Sequence, residues 1–285
     1  MKEYLIKWTG ILFMACAVLV IGAPGVHATS FSSIDLGVVN TDNLGILVTG
    51  PTTLTVTAGT DHFNANLGLD SGANTSFASG TTTVTGSTYT GLSVSAVQTA
   101  FSNASGLTAN QNFPSGITTT TTINPSTTNA NAYGGYNTVV DANDIVLTSG
   151  KTLTITGTSS DYYIFNLAGA LSATSASIVL SGGITASNVL FNVAGTDGIS
   201  GNNSVLYGTY YSPATITFSG GTVNGALIGY HIIGSSSSTA DVTLNGDPYN
   251  YGSPDSSSVP EPSTMLLLGS GLVGLGVFRK RFKKA

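Results

Sequence analysis

Apolar residues along this chain alternate with hydroxyl and amide residues in short runs, and glycine breaks the runs at close intervals. Ile145-Val-Leu-Thr-Ser-Gly-Lys-Thr, Ile178-Val-Leu-Ser-Gly-Gly-Ile-Thr and Ile216-Thr-Phe-Ser-Gly-Gly-Thr-Val each read as strand, glycine turn, strand. Further β-rich runs lie at Tyr162 to Leu167, Asn188 to Val193, Ser204 to Tyr211, Ala226 to Ile233 and Asp241 to Leu244. Period-two alternation bounded by turn residues predicts strands, and repeated units predict stacked rungs with Ile, Val, Leu and Phe inward and Thr, Ser and Asn outward. The expected fold is therefore mainly β, a solenoid, with a β-sandwich as the alternative that alternation alone does not separate. One segment has a different period. From Ser93 to Ser105, Val94, Val97, Phe101 and Ala104 trace one helical face behind Ser93 as the expected cap. A single amphipathic helix needs a surface to lie on, and the flank of the solenoid is the large one available.

Composition narrows the function. Only 7% of residues are charged, against about 25% in an ordinary soluble domain. All but Lys151 of the 8 basic residues sit near the ends of the chain, and apart from Glu3 and Glu261 every acid is Asp. The interior is thus acidic and would repel nucleic acid and anionic lipid. The one cysteine, Cys16, falls in the leading apolar run, so the remainder must be held by its core rather than by disulfides.

The terminal charges flank apolar segments. Lys2 and Lys7 precede the run Trp8 to Gly22, which ends in a break at Pro24-Gly25, and Val26-His27-Ala28 supplies a cleavage pattern. Residues 1–28 read as a secretory signal peptide cleaved after Ala28. At the other end, residues 252–259 read as a linker, and the apolar stretch 264–278 runs into Arg279, Lys280 and Arg281. At about 1.5 Å per residue that stretch reaches roughly 22 Å, shorter than the ~30 Å hydrocarbon core, so the basic residues must snorkel. Just before it stand Pro260, Glu261 and Pro262. This tripartite tail, 260–285, resembles the PEP-CTERM sorting signal of Gram-negative bacteria. The resemblance implies an exosortase-type processing protease as partner, transient inner-membrane anchoring through a short transmembrane helix, and delivery to the cell surface or extracellular matrix.

Between the signals, residues 29–251 carry Tyr163-Ile-Phe-Asn-Leu, Asn188-Val-Leu-Phe-Asn-Val, Tyr207-Gly-Thr-Tyr-Tyr-Ser-Pro and Gly221-Thr-Val-Asn-Gly-Ala-Leu-Ile-Gly. These motifs resemble the ice-binding-like adhesive domains of bacterial surface proteins with assorted C-terminal anchors, most clearly from Asp141 to Leu244. The resemblance implies a right-handed β-helix with one α-helix packed alongside. Ice binding does not follow from it, since a fold hosts several functions.

The expected function is adhesive or structural at the cell surface, with an ice-binding protein and a carbohydrate-active β-helix enzyme as alternatives. No enzyme is expected. A lyase needs a strong base beside a uronate, and the mature region offers Lys151 alone. A hydrolase needs paired carboxylates; Asp141 and Asp144 are the closest pair and read as turn residues. Asp141, Asn143 and Asp144 are weak calcium candidates without the spacing of a known calcium loop, and His62 and His231 read as loop or rung residues. No cofactor is expected. Candidate contact residues are Thr152, Thr154, Thr156, Thr215 and Thr217. Aligning the repeats on their glycine turns puts Val146, Val179 and Thr217 at one position, a face mixing Thr with aliphatics. That mixture suits a glycan, a cell surface or a protein better than an ice lattice, so weak or no thermal hysteresis with measurable adhesion is expected.

Overall fold

The computed structural model describes residues 30–57, 61–77, 82–234 and 242–251. By its internal contacts the chain divides into Met1–Tyr251 and Gly252–Ala285, and all the described residues lie in the first unit. The expected signal peptide with its cleavage point at Ala28, the linker 252–259, the sorting motif and the apolar stretch 264–278 fall outside them. Among the described residues no helix is long and apolar enough to cross a membrane.

The chain winds a parallel β-solenoid of about eight turns. Every pairing between named strands is parallel, which excludes the sandwich alternative, an antiparallel architecture. Each turn passes three faces. Face 1 holds Gln111–Phe113, Asn137–Ala142, Tyr162–Leu167, Val189–Val193, then 209–211. Face 2 holds Ile145–Leu147, Leu171–Thr174 and 199–202. Face 3 holds Thr121–Ile123, Thr152–Thr156, Ser177–Ser181 and 205–206. From Ile199 to Gly234 ladder pairing continues through 36 residues, with Asn203, Gly220 and Gly221 at positive φ where the chain turns a corner. At about 3.3 Å per residue a straight strand of that length would outrun the domain, so it bends through successive faces instead.

Stacking order differs from chain order. The segments Leu44–Val48, Thr53–Val56 and His62–Asn64 do not open the stack; they follow the C-terminal turn, with Ile46 opposite Leu227, Thr55 opposite Ile233 and His62 opposite Thr243. At this seam the fully buried Asp61 carboxylate accepts the Val242 amide at 2.8 Å. The strands upstream of Ser93, where the sequence signal is weakest, are thus full turns of the same solenoid, continued by Asn66–Asp70, Asn74–Phe77, Thr83–Val84 and Thr88–Leu92.

The interior is a column of apolar side chains from all three faces. On face 1 the aromatic rings stack from turn to turn: Phe165 on Phe191 at 4.6 Å between centroids, and Phe191 on Tyr210 at 4.7 Å and 3°. Parallel register forces this, because residues paired across adjacent rungs sit only about 4.8 Å apart.

The helix α1, Ser95–Ser105, lies on the outer side of face 1 with Val97, Ala100, Phe101 and Ala104 buried. Phe101 stacks on Tyr211 at 3.6 Å and 5°. The expected helix is present, with one correction: Val94 rather than Ser93 occupies the N-cap position and no side chain caps it. The Ser93 hydroxyl instead bonds that of Ser95 at 3.2 Å, while Val94 is buried with the helix.

Candidate functional site

Face 1 is covered by α1 and by Phe31 to Val39, so contact with another body falls to faces 2 and 3. The corner between these two faces decides which residues share a column. In successive turns it is made by Gly150, Ser175, Asn203 and Gly220, all with positive φ, at 77°, 48°, 46° and 83°. The Gly150 amide bonds the Ser175 carbonyl at 2.9 Å, and the Ser175 amide bonds that of Asn202 at 2.8 Å. The left-handed backbone is adopted at each of these four levels, yet only two of them carry the residue that adopts it freely.

That pattern corrects the repeat alignment. The glycine turns after Leu147 and Phe218 close the corner from face 2 to face 3, whereas Gly182-Gly183 closes the next corner, from face 3 towards face 1. Val146 and Thr217 therefore lie on face 2, but Val179 lies on face 3, opposite Thr154. The candidate threonines divide accordingly. Thr152, Thr154 and Thr156 stand together on one strand of face 3, while Thr215 and Thr217 stand on face 2.

On face 2, Val146 pairs with Ser172 and Ser172 with Ser200, and the Ser200 hydroxyl donates to that of Ser172 at 3.0 Å. Thr217 follows a turn later, since a side chain on Gly198 would meet the Thr215 carbonyl oxygen at 2.1 Å and one on Gly201 would meet the Phe218 ring. Further along, Ile233 pairs with Thr55 and Thr55 with Ser76. These two runs are uncharged, and none of their side chains is larger than isoleucine.

Face 3 is broader and richer in threonine than the sequence alignment implies. Thr152 stacks between Thr120, whose hydroxyl accepts the Thr152 amide at 3.3 Å, and Ser177. In the same column Ser177 meets Val205, Thr222 meets Thr243, Thr243 meets His62 and His62 meets Thr83. The neighbouring column carries an asparagine ladder: the Asn64 amide donates to Asn245 at 3.2 Å, and that of Asn245 to Asn224 at 2.8 Å. Beside it, the turn around Ala186–Asn188 and the segment after Gly246 overhang the sheet. They enclose a groove of about 490 Å³ lined by Val179, Ile184, Tyr207, Asn224, Asn245 and Asp247, among others. Burial pushes the Asp247 carboxyl above its ordinary value, opposed by hydrogen bonds from the backbone and side chain of Ser187.

Sequence reasoning missed the groove residues. A signal was present: Thr222-Val-Asn-Gly and Thr243-Leu-Asn-Gly differ only in Val for Leu, and the structure pairs them residue for residue.

The remaining candidates have structural bonds. Asp144 accepts the Ala170 amide at 2.7 Å and is bonded by Asn143, while Asp141 faces Asn166 at 3.5 Å on face 1. Among the described residues no cluster of three or more His, Cys, Asp or Glu is placed to hold a metal. Lys151 donates to the Thr118 carbonyl at 2.7 Å.

The ice-binding-like family model matches residues 20–248. The chain belongs to the ice-binding-like family. A second model, the PEP-CTERM protein-sorting motif, matches residues 258–281 and marks export and sorting to the surface. None of the curated proteins matches the chain. Solved structures share the fold. An ice-binding protein from the Antarctic ascomycete Antarctomyces psychrotrophicus is 24% identical, with TM-score 0.55 over 76% of this chain and 99% of its own. An ice-binding protein from an Arctic yeast, described for its antifreeze activity, is 17% identical, with TM-score 0.57 over 81% and 100%. One from an Antarctic biological consortium is 20% identical, with TM-score 0.55 over 76% and 90%. In this ice-binding-like protein, then, the solenoid and its flanking helix are family architecture.

Proposed function

We propose that this ice-binding-like protein is a non-enzymatic surface adhesin that attaches to an extended, uncharged surface through face 2. Ice is the first surface to test, because the solved structures of the same fold are of proteins described as ice-binding. The observation that carries the reading is the pair of runs on face 2, Val146, Ser172, Ser200 and Thr217 in one and Ile233, Thr55 and Ser76 in the other. It sets small hydroxyl and aliphatic groups at rung spacing on a rigid stack, with no charge to hold a hydration shell against displacement. The mixture of hydroxyl and aliphatic groups supports adhesion with weak thermal hysteresis. Asp141 and Asp144 serve backbone and side-chain bonds at a corner and on face 1, which supports a role without hydrolysis.

In this reading residues 1–28 are removed on export, 252–259 separate the solenoid from the tail, and an exosortase-type protease acts at the tail containing Pro260, Glu261, Pro262, Arg279, Lys280 and Arg281. The inner membrane holds the stretch 264–278 only in transit.

The test is adsorption of the exported, fluorescently labelled protein to growing ice and to whole cells, with thermal hysteresis measured alongside. Uptake into ice that Thr217→Tyr abolishes supports face 2 as the contact. Uptake unaffected by Thr217→Tyr and Thr55→Tyr, or adsorption to neither ice nor cells, overturns it.

A further inference from the structure

The groove on face 3 is built differently from the runs on face 2. Its floor is aliphatic, from Val179, Leu180 and Ile184, and Tyr207 contributes an aromatic ring. Its polar groups come in two senses. The asparagine ladder donates in one direction, Asn64 to Asn245 to Asn224, so the Asn224 Nδ2 is its terminal donor. The next rung in that direction carries Tyr207 in place of a fourth asparagine: Gly221 and Gly225 lie against Ser204 and Gly208, which sets Asn224 beside Tyr207. Asp247 supplies an acceptor in the same lining.

These features select a ligand class. An aromatic face, an amide donor and a carboxylate acceptor around an aliphatic floor match a ring with apolar C–H faces and equatorial hydroxyls that both donate and accept. A purely apolar ligand would strip water from the Asn224 amide and the Asp247 carboxylate without replacing it, which costs free energy. An anionic ligand would meet Asp247, with no cation among the lining residues to offset it. The volume of about 490 Å³ falls within the range of ~300–1,000 Å³ usual for small-ligand clefts. Asp247 is the groove's only carboxylate, so the lining lacks the acid and base pair that glycoside hydrolysis uses.

We propose that the groove formed by Tyr207, Asn224, Asn245 and Asp247 is a binding site for a neutral saccharide. Tyr207 stacks on one face of a sugar ring, while Asn224 donates to one hydroxyl and Asp247 accepts from another. The site is on face 3 and stands apart from the ice reading of face 2, so each can fail without the other.

The experiment is calorimetric titration of the exported protein with neutral gluco-oligosaccharides of α-1,4, β-1,4 and β-1,3 linkage, with an oligogalacturonate as the anionic comparison. Binding of at least one neutral series is expected, weakened tenfold or more by Tyr207→Ala and by Asn224→Ala. Tyr207→Phe should retain it, because the ring and not the hydroxyl makes the contact. Thr217→Tyr on face 2 should leave it unchanged. Thermal unfolding of each variant confirms that it is folded. Failure of every neutral series to bind, equal or tighter binding of the oligogalacturonate, or affinity indifferent to both alanine substitutions would overturn the proposal.

Discussion

The solenoid carries two asparagine ladders, one under α1 on face 1 and one in the open on face 3. On face 1, Asn112, Asp141, Asn166 and Asn192 follow each other across paired rungs. Asn192 is 2% exposed, and its amide reaches the Phe101 carbonyl at 3.3 Å, the Ser105 hydroxyl at 2.8 Å and the Asn166 side chain at 2.9 Å. Asn166 in turn donates to the Ala104 carbonyl at 2.9 Å. These amides bond carbonyls in the last turns of the helix, where the Phe101 carbonyl also accepts the Ser105 hydroxyl at 3.1 Å. On face 3, Asn64, Asn245 and Asn224 bond to one another and end at a groove. The same side chain at the same spacing fastens an element in one place and offers itself to a ligand in the other. Burial makes the difference.

Breaking the covered side should have the larger consequences. Phe101→Asp puts a carboxylate where the Phe101 ring now stacks on Tyr211, inside the helix contact. The expected loss is about 3–5 kcal/mol, the scale of an unpaired buried charge. Urea unfolding monitored by circular dichroism checks it. An unchanged midpoint would mean that α1 is not held to face 1.

Next in size is Asn192→Ala, which removes the amide that joins Ser105, Phe101 and Asn166. Losing these bonds at a buried side chain should cost about 1–3 kcal/mol in sum. The paired substitution on face 3, Asn245→Ala, should cost under about 0.5 kcal/mol, as exposed sites do, while weakening saccharide binding. Measuring both by the same unfolding assay tests the comparison directly. Equal losses would show that exposure does not separate the two ladders.

Much of this organisation can be read in the sequence, and the exceptions share one cause. The helix is legible because Val97, Phe101 and Ala104 keep its period, and the rungs from Ile145 onward are legible because alternation and glycine mark both strand and corner. Register is not legible, because the corner that demands a left-handed backbone is filled by Ser175 and Asn203 in two turns and by Gly150 and Gly220 in two. Aligning on glycine therefore matches different corners and scatters one column across two faces. The N-terminal turns are hidden for a related reason. Their partners are far along the chain, as Ile46 is to Leu227, and no local pattern encodes such a pairing. The groove depends on both: Asn64 reaches Asn245 only across that seam.

The smallest effect concerns Asp247, at the edge of the open ladder. Burial raises its carboxyl pKa in the folded protein, while in the unfolded chain it returns to the ordinary aspartate value of about 3.9. The fold therefore favours the protonated form. Stability from this group is fully present below the ordinary value and is lost as pH rises through the raised one. Asp247→Asn keeps the shape and an acceptor oxygen for Ser187 but removes the ionisation. The variant should melt slightly higher than the parent at pH 7 and match it near pH 3, with the gap opening between the two pKa values. Its dependence on pH should otherwise follow the parent's. The measurement is a set of thermal melts of both proteins across pH 3 to 7. A parent that gains stability relative to the variant as pH rises would show that the Ser187 bonds outweigh desolvation, and that Asp247 is held in the groove as a stabilised anion.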